Sequence, residues 1–279
     1  MEQPIPTDNK NEMQRSFDFD THMQYEALIG SHAYGTAEPG SKRRYLTIVT
    51  PPKLVELAIR PFETWRNTER TRFVHSLRRF GRMLLDCNLA AYEALFVGDE
   101  FVRYCGHAGN RLRQARGSLL SLELADRYAG EGDVACDDMF DATREDSESQ
   151  RLFKRHGYDP KAAARAVRCY RIANEIAKGL SLRVTRNDRE ELAAIRRGDI
   201  PLDELAEFDN TAANQEIANG IIAYERDAYD IARQTCILPE TCDAQRLSDL
   251  LADISYKTLE NYEKTKDMPE RTITSGRRT

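Results

Sequence analysis

A chain of 279 residues with 41% hydrophobic content holds enough apolar material for one large domain or two closely joined ones. Its net charge of −5 argues against a general nucleic-acid coat, so any nucleic-acid contact must rest on a local basic patch. The six cysteines, at 87, 105, 136, 169, 236 and 242, show no CxxC pair and no accompanying histidine spacing, which argues against structural zinc and a disulfide framework.

Reduced and mostly buried thiols are expected instead, fitting a cytoplasmic location. No run of about eighteen apolar residues and no signal-peptide pattern is present, so neither membrane insertion nor secretion is expected.

In chain order, residues 1–20 are polar and expected to be flexible, and the core is expected to begin at Tyr25-Glu26-Ala27-Leu28-Ile29. Gly30-Ser31, Gly35-Thr36 and Gly40-Ser41 then place three small pairs within a dozen positions. Such spacing suits a backbone that turns tightly and approaches a phosphate, and it also suits an ordinary polar loop. Tyr45 to Val49 reads as a strand stopped by Pro51-Pro52, and Phe73-Val74-His75 as another. Between Leu77 and Phe96 apolar residues recur three or four apart, predicting amphipathic helix with a break around Cys87-Asn88. Residues 106–129 read as helical. GEGDVACDD and TREDSESQ read as an acidic loop, in which Asp133, Asp137, Asp138 and Asp141 do not fit calcium-loop spacing.

The second half opens with Asp159-Pro160, an N-cap acceptor followed by proline at the first helical position. Ala163, Val167, Tyr170, Ala173 and Ile176 are expected to face the core, while Lys161, Arg165 and Arg168 share another face near the helix start. LSLRVT reads as a short strand or hairpin arm, and Asn187 as the cap of a helix ending at Gly198. Helices over 211–236 and 243–264, joined by ILPET, are expected to form an antiparallel hairpin. The tail from Arg271 is expected to be disordered.

The run GSHAYGTAEPGS, followed by an apolar strand and Pro-Pro, resembles the predicted nucleotidyltransferases of the DNA polymerase β-like superfamily. The group in question is RNA-ligase-associated, and its members read approximately GSxAYGTxxPxSDxDxRGxxxPP. A second block, GYDPKAAARAVRCYRIANEI followed by DREELAAIRRGDIPLDEL, is similar to the family's helical region, where GYDxKxAxHLxRL precedes a helix ending in IRxGxxxxEE. The resemblance covers roughly Tyr25 to Leu205. It implies an α+β fold with a nucleotidyltransferase-type mixed sheet and flanking helices, followed by a helical C-terminal region. The implied domains are 21–150 and 151–270, between a flexible 1–20 and a disordered 271–279. The resemblance also implies a nucleotide-binding cleft. Gly30, Ser31, Tyr34, Gly35, Thr36 and Ser41 would lie on one wall, with Lys161, Arg165 and Arg168 reaching the phosphates from the other. Arg165 replaces a histidine of the family pattern.

Members of that superfamily hold two divalent ions on two carboxylates one residue apart on a strand, with a third on a neighbouring strand. Here those two positions are Lys42 and Arg44. Lysine offers only donors and arginine does not deprotonate, so neither ligates magnesium. The third acid is expected near Glu69 or Thr71, while Glu93 matches a family glutamate read as structural more often than catalytic. Lys42, Arg43 and Arg44, with Arg70 and Arg72, would put cations where metals usually sit, able to hold a triphosphate, an RNA backbone or an acidic partner surface without metal.

Two readings follow. One is a degenerate nucleotidyltransferase-fold protein that binds a nucleoside triphosphate, RNA or a protein partner, and for this reading no particular cofactor is implied. The other is an active, Mg²⁺-dependent enzyme moving a nucleotide monophosphate to RNA or protein through Glu69 and Glu93. The first is favoured, because two of three metal ligands have become cations. The histidines, including His32 within the glycine frame, nominate no nucleophile–base pair.

Overall fold

The computed structural model describes residues 17–141, 147–208 and 217–266; of the stretch expected to be flexible over 1–20, residues 1–16 lie outside them, as does the expected disordered tail. In chain order the elements begin β1 (Met23–Ile29), α1 (Ser31–Tyr34), β2 (Arg44–Val49), α2 (Lys53–Glu56), β3 (Thr64–Arg66), β4 (Arg72–Ser76), α3 (Leu77–Leu85) and α4 (Leu89–Phe96). They continue β5 (Val102–Cys105), α5 (His107–Ala115), α6 (Leu122–Phe140), α7 (Ser147–His156), α8 (Pro160–Ala177), α9 (Arg189–Arg197) and α10 (Leu202–Leu205). A two-stranded pair, β6 (Glu207–Phe208) and β7 (Ile217–Asn219), precedes α11 (Ile221–Gln234) and α12 (Ala244–Lys266).

The main sheet runs β3-β4-β2-β1-β5. Its β2–β4 pair is parallel and the others antiparallel, a mixed sheet in an α+β architecture, as expected. Alternation along the strands sends Tyr25, Ala27, Leu46 and Ile48 into the large core under the helices. Val49 and Val74 point the other way, into a smaller aromatic cluster with Phe17, Phe19 and Phe62. The packed chain thus begins before Tyr25, because Phe17 and Phe19 cover the far face of the sheet.

The break expected near Cys87-Asn88 is present. Ser76 caps α3 by accepting the Arg79 N–H, Asn88 caps α4 by accepting the Ala91 N–H, and Cys87 between them adopts φ of 48°. Asp159 caps α8 by accepting the Lys161 N–H at 2.9 Å, and the five residues expected to face the core from this helix are all buried.

Several expectations are corrected. GEGDVACDD is not a loop: it forms the C-terminal half of α6. A Cβ at Gly132 would stand 2.9 Å from the Tyr170 ring, so this glycine permits close packing of α6 on α8 and does not mark a turn. LSLRVT forms no strand. It buries Leu182 and Val184 and docks on α1, with the Thr185 hydroxyl donating to the Ala33 carbonyl at 3.0 Å and the Arg186 N–H to that of Tyr34 at 3.2 Å. Asp188, not Asn187, precedes α9. Of the helix expected over 211–236, residues 211–216 lie outside the described residues, 217–219 are strand, and the helix starts at Ile221.

The expected terminal hairpin is also absent. α11 packs on α8, whereas α12 packs on α3 and α5. The ILPET connection explains the divergence, since the Pro239 and Glu240 carbonyls accept the Leu122 and Glu123 N–H groups at the start of α6 and hold the chain there. Gly81 of α3 leaves room for Leu251 of α12. One contiguous core consequently runs from Tyr25 to Ile254.

Among the described residues no helix is long and apolar enough to cross a membrane. All six cysteines are free, three of them buried.

Candidate functional site

The site is a cleft of about 810 Å³ between the β1–β2 connection and the helices α6, α8 and α9. Its floor is built from the glycine frame. Gly30, Gly35 and Gly40 all have positive φ, between 79° and 87°, a region that side chains with a Cβ seldom occupy. Between the first two, Ser31–Tyr34 makes a single helical turn. His32 Nε2 lies 2.9 Å from the Ser41 carbonyl oxygen, and the Ser41 hydroxyl accepts the Glu38 N–H at 3.0 Å. These bonds shape the loop that delivers Lys42 and Arg44 to the cleft.

Of the residues expected on the first wall, Gly30, Ser31, Tyr34, Thr36, Ser41, Lys42 and Arg44 line the cleft. Gly35 lies behind it, where a Cβ would stand 3.0 Å from the Arg189 side chain. Lys161, Arg165 and Arg168 line the opposite wall, so the two sequence blocks meet across one cavity.

Their electrostatic states differ. Arg168 is buried, with Nη1 donating to Glu93 Oε1 at 2.9 Å and its guanidinium carbon 4.0 Å from the Tyr34 ring centroid. Glu93 is itself 3% exposed and also accepts from the Tyr34 hydroxyl at 2.6 Å and the Tyr128 hydroxyl at 3.4 Å. Burial first, and the Glu93 charge second, push both phenols far above the ordinary tyrosine range. Glu93 therefore serves as the acceptor hub of a buried network. Arg165 pairs with Asp138 and lies 3.4 Å from Glu131.

Sequence reasoning missed Arg127, Arg196, Glu38 and Glu131, which also line the cleft. Arg196 Nε lies 3.2 Å from Glu38 Oε1, joining α9 to the glycine loop. A signal existed for Arg196, which lies in the IRRGD stretch of the second block. Arg127 carried none, because nothing local distinguishes it from a solvated arginine on α6. Among the described residues, Lys42, Arg44 and Arg127 have no side-chain partner, and all three are exposed to the cleft.

The cation cluster is smaller than expected. Arg72 points to the far face of the sheet, with Nε 3.0 Å from Glu26 and Nη2 2.6 Å from Asp20. Alternation causes this, because Arg72 pairs with Tyr45 and so faces away from Arg44. Arg70 sits in the exposed β3–β4 turn, and neither it nor Arg43 lines the cleft. Glu69 occupies the same exposed turn, outside the cleft.

A divalent ion does not fit these residues. Lys42 and Arg44 are donors only, and the carboxylates of Glu38, Glu93 and Glu131 are each engaged by an arginine. Among the described residues no group of three or more His, Cys, Asp or Glu is gathered to hold a metal.

No protein-family profile matches the chain, and no curated protein matches it. Among solved structures it aligns with a nucleotidyltransferase-like protein from Exiguobacterium sibiricum at 12% identity and a TM-score of 0.26, over 92% of this chain and 81% of that one. A likeness that loose carries no argument about the site.

Proposed function

We propose that this chain is a nucleotidyltransferase-fold protein that holds a nucleoside triphosphate in its cleft and does not transfer the nucleotide. One observation carries the reading: Lys42, Arg44 and Arg127 line a single cavity and have no side-chain partner among the described residues. Cations left unpaired in a concave site supply charge-assisted hydrogen bonds to phosphate oxygens, and the walls of the cleft concentrate their field. Two of these cations stand at the positions where the sequence resemblance places metal-binding aspartates. An active site running through Glu69 and Glu93 is disfavoured, since the first lies outside the cleft and the second is committed to Arg168, Tyr34 and Tyr128.

The test is calorimetric binding of ATP to the full chain in chelator, beside transfer of label from α-phosphate-labelled nucleoside triphosphates with magnesium or manganese. Binding without labelling is expected. The charge reversal Lys42→Glu with Arg44→Glu should weaken binding at least tenfold, equivalent to about 1.4 kcal/mol. Metal-dependent labelling of protein or added RNA overturns the proposal, as does ATP binding that ignores the double substitution.

A further inference from the structure

We infer that the cleft reads the phosphate chain of its ligand and not the base, so that inorganic tripolyphosphate is as good a ligand as any nucleoside triphosphate. This rests on the anion-binding reading above and specifies its ligand class.

Base recognition needs an open aromatic face for stacking, or free acceptors and donors placed at a base edge. The cleft is short of both. The aromatic residue that lines it is Tyr34, whose ring is covered by the Arg168 guanidinium at 4.0 Å and whose hydroxyl is committed to Glu93 at 2.6 Å. The remaining apolar lining is aliphatic, with Ile29, Leu89 and Leu192 as its larger members.

The carboxylates of the lining already face cations, Glu38 beside Arg196, Glu131 beside Arg165 and Glu93 beside Arg168, so a base edge would have to compete with an arginine for each of them. The lining carboxamide, Asn88, holds its Oδ1 on the Ala91 N–H at 3.2 Å as a helix cap. Among the charged side chains of the lining, those without a side-chain partner among the described residues are donor-only, Lys42, Arg44 and Arg127, with the small hydroxyls of Ser31 and Thr36 beside them. Such a set matches phosphate oxygens and discriminates by the number of negative charges presented.

The experiment compares inorganic tripolyphosphate, pyrophosphate, ATP, GTP, CTP, UTP, adenosine and a single-stranded RNA oligomer for binding to the full chain in chelator. The four nucleotides and tripolyphosphate are expected within about threefold of one another, pyrophosphate at least tenfold weaker, and adenosine without binding. Arg127→Glu should weaken tripolyphosphate and ATP by the same factor. One nucleotide, or the RNA, binding more than tenfold tighter than tripolyphosphate overturns this inference and leaves the anion-binding cleft standing. Absence of binding by every anion overturns both.

Discussion

Arg168 carries its guanidinium carbon 4.0 Å from the centroid of the Tyr34 ring, joining the helical wall of the cleft to the single turn that the glycine frame encloses. Its charge is neutralised from below by Glu93, so an arginine whose helical spacing suggested a phosphate ligand is a pillar of the cleft floor. Cation–π contact and a buried ion pair here act on the same side chain, which makes the position of Tyr34 dependent on Glu93.

Breaking that dependence should be costly. Glu93→Gln leaves Arg168 buried without its counter-charge and should lower unfolding free energy by about 3–5 kcal/mol. Combining it with Arg168→Met removes the orphaned charge and should recover most of the loss. Urea denaturation of the two single variants and the double variant measures the coupling. Additive effects would show that the pair does not act as a unit.

Two glycines of α6 offer a matched comparison. A Cβ at Gly132 would meet three atoms of the Tyr170 ring at 2.9 to 3.0 Å, whereas one at Gly130 would meet nothing within 4 Å. Gly132→Ala should therefore destabilise by about 1–3 kcal/mol through overpacking. Gly130→Ala should stabilise by about 0.5–1 kcal/mol, because alanine loses less backbone freedom in a helix. Calorimetric melting of both variants checks this; equal shifts would mean that the α6–α8 contact yields without cost.

What was legible in the sequence follows from how local each signal is. Strands β2 and β4 and the α3–α4 break were readable because β-branched content, the Pro51-Pro52 stop and the Asn88 cap act within a few residues. The glycine frame was readable because its three turns need positive φ. Residues 130–138 were misread as loop because the reason for Gly132 is Tyr170, 38 positions away, and no local pattern announces a glycine that serves helix packing. The terminal hairpin failed likewise: the carbonyls of Pro239 and Glu240 are claimed by the start of α6, a contact that sequence neighbours do not reveal. At the site, both walls were legible in outline, but the pairing of each cation was not. Lys161, Arg165 and Arg168 look alike on a helical wheel, and tertiary contacts alone send Arg168 to Glu93 and Arg165 to Asp138.

His75 should impose a pH dependence on stability. Burial, reinforced by the Arg79 charge, lowers its value from 6.5 to about 4, and the Thr64 hydroxyl lies 3.0 Å from its Nδ1. Between those limits the unfolded chain binds a proton that the folded imidazole does not. The contribution is therefore complete above about pH 6.5 and is lost as pH falls towards 4, amounting to roughly 1–3 kcal/mol. Denaturation midpoints at pH 7 and 4.5 should differ less in His75→Gln than in the parent. An unchanged difference would place the titration elsewhere.

The loop-to-helix pair of Glu38 and Arg196 should govern affinity more than stability. Its members are 42% and 16% exposed at the cleft, and an ion pair of that exposure contributes about 0–1 kcal/mol, so Glu38→Gln should melt close to the parent. The same substitution removes a negative charge from the cleft and releases the Arg196 guanidinium towards an incoming phosphate. Tripolyphosphate should bind about three- to tenfold tighter at low salt, with the gain shrinking at high salt as screening shortens the reach of the added charge. Arg196→Gln should do the reverse and weaken binding. Titrating each variant at two ionic strengths decides the matter: if Glu38→Gln binds no tighter than the parent, Arg196 does not face the ligand, and the cations that hold it are those of the β1–β2 loop and α6 alone.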